Sequence, residues 1–256
     1  MLKIVPLLTL FFSFISASSA QAAPQKADKR VVTPGMIQPK FTSIKGAIST
    51  ATPTTAFIRV LHAVPNGPKV DVYLGSLKIA SNRGFTGLTS YISVKSGKNA
   101  LKVFSAGKTS PVIVADSFTL KRGDYYTIAI YGKKAPQLLS INESKGKENF
   151  EKARVRAVHL APGAPELLVT TPSTRGDLGY AKLVPKALEY GKSGSKLVAP
   201  KTTTIQIRTE DNLLKETPEM SFEAGKRYSA FIIGEIAGKG KNALDILLKP
   251  AAEQLK

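Results

Sequence analysis

The chain has 256 residues, 43% hydrophobic and 21% charged, with no cysteine, no tryptophan and a formal net charge of +19. This is the composition of a globular chain, and the missing cysteines exclude disulfides, thiolate metal sites, a cysteine nucleophile and an N-terminal lipid-modified cysteine. The positive balance favours anionic partners without specifying them.

Met1 to Ala22 reads as a secretory signal peptide. Lys3 supplies the basic n-region, Ile4 to Ile15 the apolar h-region, and Ala20-Gln21-Ala22 a small-x-small cleavage site. Twelve helical residues cover only about 18 Å, short of the roughly 30 Å hydrocarbon core. Export with cleavage is therefore expected, to the periplasm, the cell surface or the extracellular space, with no transmembrane span in the mature chain. Residues 23–55 carry five basic residues and one acidic, with scattered apolar ones. They cannot bury enough area to offset their ordering entropy and are expected as a flexible basic leader.

From Phe57 the texture changes to short apolar runs broken by Gly, Pro and Asn. Strands are predicted over Phe57–His62, Val70–Leu74, Leu77–Ala80, Leu88–Val94, Ala100–Phe104, Val112–Leu120, Tyr125–Tyr131 and Gln137–Ile141. The stretch 143–152 is charged and nearly free of apolar residues, as a linker would be. Strands then resume over Arg154–Leu160, Leu167–Thr171, Gly179–Val184, Thr203–Thr209, Met220–Phe222, Tyr228–Ile233 and Leu244–Leu248.

The second series repeats the first. Ala56-Phe57-Ile58-Arg59-Val60-Leu61-His62-Ala63-Val64-Pro65-Asn66-Gly67-Pro68 returns 97 residues later as Ala153 to Pro165, with Ala, Arg, His and both prolines in register. Gly123-Asp124-Tyr125-Tyr126-Thr127-Ile128 returns as Gly225-Lys226-Arg227-Tyr228-Ser229-Ala230 at an offset of 102. About five extra residues are thus expected inside the second copy, around Gly191–Lys201. A period near a hundred residues is that of a small domain. The fold class predicted is all-β, as two tandem β-sandwiches at 56–142 and 153–250 with a tail at 251–256; a small barrel is the alternative.

The run His62-Ala63-Val64-Pro65-Asn66-Gly67-Pro68-Lys69-Val70-Asp71-Val72-Tyr73 resembles the opening of the bacterial DUF4397 family, exported domains that often occur in tandem. The likeness continues through Ile79-Ala80-Ser81-Asn82, Phe85, Tyr91, Gly123-Asp124-Tyr125-Tyr126-Thr127 and Leu138-Leu139. It implies immunoglobulin-like sandwiches and no known activity. The second copy departs from the signature, with Leu167-Leu168-Val169-Thr170 in place of Val70-Asp71-Val72-Tyr73. In layout and strand openings the chain is also similar to the two-domain periplasmic accessory proteins of alginate O-acetylation.

His62 and His159, the only histidines, fall in equivalent positions before a Pro-x-x-Pro turn, so His62, Pro65, Pro68, His159, Pro162 and Pro165 are expected to be structural. Arg59 and Arg156 alternate with apolar neighbours and are expected on solvated outer strand faces. Gly191-Lys192-Ser193 lacks the earlier glycine of a phosphate loop, because Lys186 stands there. No Gly-x-Ser-x-Gly or His-Glu-x-x-His is present, and no metal, cofactor or specific nucleic acid is expected. Charge instead singles out the first copy, where residues 56–142 hold twelve basic residues against three aspartates, a net of +9. Candidate binding residues are Lys69, Lys78, Lys95, Lys98, Lys102, Lys108, Lys121 and Arg122, with Asp71 and Tyr73, which the second copy lacks. The expected function is a non-catalytic envelope or matrix protein whose basic first domain engages anionic polymer, polysaccharide or lipopolysaccharide. The alternatives are a periplasmic accessory subunit of a polysaccharide-modifying, acetylation-type complex, with an envelope protein as partner, and an enzyme of unrecognised class.

Overall fold

The structure, a computed structural model, describes residues 54–147, 149–173 and 179–251. The expected signal peptide, the leader up to Pro53 and the tail after Ala251 lie outside the described residues. The first sandwich contains β1 (Thr55–His62), β2 (Val70–Leu74), β3 (Leu77–Arg83), β4 (Ile92–Lys95), β5 (Gly97–Ser105), β6 (Val112–Leu120), β7 (Tyr125–Tyr131) and β8 (Gln137–Asn142). The second contains β9 (Ala153–His159), β10 (Leu168–Pro172), β11 (Tyr180–Lys182), β12 (Ser193–Val198), β13 (Lys201–Thr203), β14 (Gln206–Arg208), β15 (Leu213–Glu216), β16 (Met220–Phe222), β17 (Arg227–Ile233) and β18 (Asp245–Pro250). The fold is all-β, two tandem β-sandwiches. Among the described residues no helix is long and apolar enough to cross a membrane.

Each sandwich pairs a sheet ordered β4-β1-β7-β8, or β12-β9-β17-β18, with one ordered β3-β2-β5-β6, or β11-β10-β14-β15. In both copies the first strand runs parallel to the penultimate one, β1 to β7 and β9 to β17. Strand alternation decides which residues fill each core. Ile58, Val60, Val72, Leu101, Val103, Ile128 and Ile130 meet inside the first sandwich. Val155, Ala157, Leu167, Val169, Ile205, Ile207 and Phe222 do so in the second.

Local chemistry shifts three expected elements. The strand expected from Leu88 starts at Ile92, because the Thr89 hydroxyl takes the Val60 amide (2.9 Å) in place of a ladder carbonyl. Leu88 contributes a single bridge to Leu61. The run Thr203–Thr209 divides into β13 and β14, which pair separately with β16 and β15. The segment around Gly191–Lys201 is no insertion, since it contains β12, paired with β9 as β4 is with β1. The extra length sits in the hairpin after β10: Tyr73 pairs with Lys78, whereas its counterpart Thr170 pairs with Lys182.

Arg59 and Arg156 require the largest correction. Both lie on outer sheet faces, as alternation dictates, yet Arg59 is 5% exposed and Arg156 8%. Alternation identifies a face but not what covers it, and here the outer faces of β1/β7 and β9/β17 cover each other. Leu61, Ala63, Ala129 and Tyr131 pack with Val158, Leu160, Phe231 and Ile233. These are equivalent positions in the two repeats, so the contact is that of a symmetric dimer joined in one chain.

Its polar centre is Glu143, in the stretch expected as the linker and 3% exposed. Oε1 accepts from Thr127 Oγ1 (2.7 Å) and Arg59 Nη2 (3.3 Å), while Arg59 Nε also donates to Thr127 (2.8 Å). Oε2 accepts from Ser229 and lies 3.8 Å from Arg156 Nε. Arg59 extends across the interface, Nη1 donating to the Pro250 carbonyl (3.2 Å), with its guanidinium 4.5 Å from the Tyr91 ring centre. A rim contact adds Asn242 Nδ2 to Asn66 Oδ1 (2.7 Å) and Lys133 to Glu235 (2.9 Å).

Removing one partner of a buried ion group strands the others, so Glu143→Ala should cost roughly 3–5 kcal/mol in a urea titration. Replacing the group together, Glu143→Leu with Arg59→Met and Arg156→Met, should recover most of that loss. A Glu143→Ala protein within about 0.5 kcal/mol of wild type, the scale of an ordinary surface change, would contradict this account.

Candidate binding face

The titratable groups of the strand ends are committed to the fold. His62 Nε2 lies 3.0 Å from the Pro68 carbonyl, and Nδ1 accepts the Val64 amide at 3.4 Å. His159 repeats this with Pro165 (3.0 Å) and Ala161 (3.3 Å). An amide donating to Nδ1 places the proton on Nε2, so both rings are neutral donors, and burial pushes both pKa values below the usual 6.5. Gly67 fits beneath this turn only without a side chain, since a Cβ would stand 2.9 Å from Val64 Cγ1 and 3.2 Å from His62 Cε1.

Asp71 is likewise enclosed, at 2% exposure. Its carboxylate accepts from Lys78 Nζ (2.8 Å), the Asn82 amide (2.8 Å) and the Gly107 amide (3.2 Å). The Lys78 ammonium first, and the Asn82 amide next, pull its pKa down to about 2. Asp71 in turn raises that of Lys78, aided by the Tyr73 hydroxyl. One carboxylate thus ties β2 to β3 and to the β5–β6 turn, and it holds Lys78 Nζ 5.3 Å from the Tyr73 ring centre.

Register then assembles a surface. Tyr73 sits opposite Lys78 on one side and Lys102 on the other, and Lys102 sits opposite Ala115. The resulting row, Lys78–Tyr73–Lys102–Ala115, crosses the sheet face turned away from the first core. Phe104, two residues along β5 on the same face and opposite Asp71, meets the Tyr73 ring edge-on at 5.6 Å and is 7% exposed. Tyr73 itself is half-buried, and both lysines are exposed. Beside Lys102 lies a shallow depression of ≈ 360 Å³, lined by Ala100, Leu101, Lys102, Ala115, Asp116 and Ser117. Asp116 is exposed and uses Oδ1 on the Ser117 amide (2.7 Å).

Of the ten binding candidates, the structure gathers Asp71, Tyr73, Lys78 and Lys102, with Lys98 further along the same face of β5. Lys69 and Lys108 stand at the end of the sandwich where Ala106 N bonds the Lys69 carbonyl. Lys95, Lys121 and Arg122 lie at the opposite end, beside the turns that bond Thr54 and Thr55. The second sandwich has no such row. Its counterpart reads Lys182–Thr170–Gln206–Glu216, closed by hydrogen bonds from Gln206 to Glu216 (3.2 Å) and Thr170 to Gln206 (3.4 Å). Among the described residues no group of three or more His, Asp or Glu could hold a metal ion.

The family described as "Domain of unknown function (DUF4397)" matches residues 56–170. This segment belongs to the DUF4397 family. The DUF4397 match runs from β1 through the first sandwich and Glu143 into β10, so it contains the whole Lys–Tyr–Lys row. No curated protein matches the chain.

Among solved structures, the chain is similar to a family 26 carbohydrate-binding module of Amy13K from Eubacterium rectale in complex with maltoheptaose. The TM-score is 0.26 at 10% identity, over 78% of this chain and 98% of that one. It is also similar to the Bacillus anthracis TIE protein, with a TM-score of 0.24 at 11% identity, over 70% of this chain and 34% of that one. A Bacteroides ovatus protein provisionally described as a cell adhesion protein has a TM-score of 0.24 at 10% identity, over 76% of this chain and 95% of that one. No residue is carried over from them.

Sequence reasoning missed Phe104 and Glu143. Thr127 and Ser229, equivalent polar positions inside apolar strands, were the available signal for the buried network.

Two pH dependences follow, both lost on acidification but in different windows. The folded histidines resist protonation, so their contribution is complete above about pH 6.5 and is lost as the pH falls below it. Thermal melts should show Tm declining between about pH 7 and 5.5, less steeply in the His62→Asn/His159→Asn protein. Asp71 contributes fully above about 3.8, and its contribution is lost as the pH falls towards about 2. Asp71→Asn should flatten that acid limb, and unchanged limbs in these variants would refute the assignments.

Proposed function

We propose that this chain is a non-catalytic exported protein of the cell envelope or matrix, and that the outer sheet of its first sandwich binds anionic polymer. In this reading residues 1–22 are the signal, 23–55 a basic leader, 143–152 the connection between the sandwiches, and 251–256 the tail. The observation that carries it is the Lys78–Tyr73–Lys102 row, held on the one large sheet face of the first sandwich that the second does not cover. The net charge of +9 over residues 56–142 supports it. Both histidines and two of the three first-copy aspartates make bonds that support turns and strands: His62 and His159 as above, Asp71 with Lys78, and Asp124 with Asn142 (2.7 Å). The same face in the second sandwich is closed on itself by Gln206 and Glu216, which argues for a binding role in the first alone.

Exposed ammonium groups act through a field screened within about 8 Å at physiological salt and about 3 Å at 1 M. Retention of the full-length chain on immobilised cell-wall glycan or lipopolysaccharide should therefore be strong at low salt and fall steeply as salt rises. Lys78→Ala/Lys102→Ala should elute at lower salt than wild type. Retention that ignores salt, or no retention on either polymer, refutes the reading.

A further inference from the structure

The exposed lysines account for attraction to any polyanion, but they do not account for Tyr73. A phosphate or carboxylate by itself gains nothing from a half-buried aromatic ring that stands in register between two lysines. We infer that the row is a subsite for an acidic polysaccharide, in which one pyranose ring lies on Tyr73 and carboxylates of the sugar chain lie over Lys78 and Lys102. This rests on the anionic-polymer reading and narrows it to a chain of sugar acids.

Three features converge on that ligand. First, the ring is supported and fixed. Phe104 meets it edge-on, and Asp71 fixes the flanking ammonium through a 2.8 Å bond, so little side-chain freedom remains to be lost on binding. Second, the row runs across the strands, which places the backbones of Lys78 and Lys102 two strand spacings apart, about 10 Å, with the ring between them. A linear polymer that alternates apolar ring faces with regularly placed carboxylates fits that sequence of cation, ring, cation. Third, the depression beside Lys102 lies over small side chains, Ala100, Ala115 and Ser117, which leave room on this face for a flat sugar ring next to the lysine.

Single-stranded nucleic acid is the other polyanion with a stacking face. It uses successive rings along a basic groove, whereas of the two neighbouring rings on this face Phe104 is buried and only Tyr73 is open to a ligand. The observations favour the sugar acid.

The test is calorimetric titration of the full-length chain with oligogalacturonate, its methyl ester and oligo-dT. Tyr73→Thr is the decisive variant, because the second repeat carries Thr170 at the equivalent position and tolerates it in the same strand register. A far-UV spectrum unchanged from wild type establishes its fold, and Tyr73→Phe serves as the conservative control. Oligogalacturonate should bind most tightly and its methyl ester weakly. Tyr73→Thr should lose about tenfold in affinity for oligogalacturonate, equal to about 1.4 kcal/mol, and Tyr73→Phe should retain most of it. Binding that depends on the lysines but is the same in Tyr73→Thr overturns the sugar subsite while leaving the charge reading intact. Tighter, Tyr73-dependent binding of oligo-dT overturns it in favour of nucleic acid. No binding of either polyanion overturns both.

Discussion

Glu143 is the group on which the two-domain body depends. A carboxylate removed from water is costly unless its lone pairs are filled and its charge is matched. Here the matching groups come from both repeats: Arg59 and Thr127 from the first, Arg156 and Ser229 from the second. Either sandwich alone would present a buried-type arginine on an apolar face. Together they surround one carboxylate, and the apolar positions about it, from Leu61 to Phe231, are sealed from solvent. The single carboxylate lies near the centre of an otherwise symmetric contact, so the connecting segment supplies what neither repeat encodes.

That arrangement sorts the sheet faces by use. The inward faces form two ordinary cores. One outer face of each sandwich is spent on the other domain, which is why β7 is buried along its whole length. The faces over β2 and β5, or β10 and β14, take no part in the contact between the sandwiches, and there the copies diverge. Asp71, Tyr73 and Lys102 stand in the first where Leu168, Thr170 and Gln206 stand in the second. Duplication preserved what packs between the sandwiches, and the copies diverged on the faces that the contact between them leaves out.

Much of this was legible in the residues. The period-2 alternation of Val70-Asp71-Val72-Tyr73-Leu74 sets one strand and both of its faces, and β2, β6, β7 and β16 begin and end where their apolar runs do. The repeated His and proline turn marks both sandwiches, because a buried imidazole that bonds a turn carbonyl is a local device. β4 was harder: the Thr89 side chain substitutes for a backbone partner, and no pattern announces that exchange. β12 was missed because Ser193-Gly194-Ser195-Lys196 has no apolar period; it is a strand only because β9 offers it an edge.

The sequence by itself determined the class of fold, its duplication, the basic surplus of the first copy and the face on which each strand residue sits, since these follow from alternation, turn chemistry and composition. Tertiary structure alone decided that Arg59 and Arg156 are buried, that Glu143 in a charged connector bonds groups of both sandwiches, and that residues 73, 78 and 102 form one row. The reason is physical. Alternation is a property of one strand, whereas register across three strands and the pairing of two sheet faces depend on contacts between residues far apart in the chain.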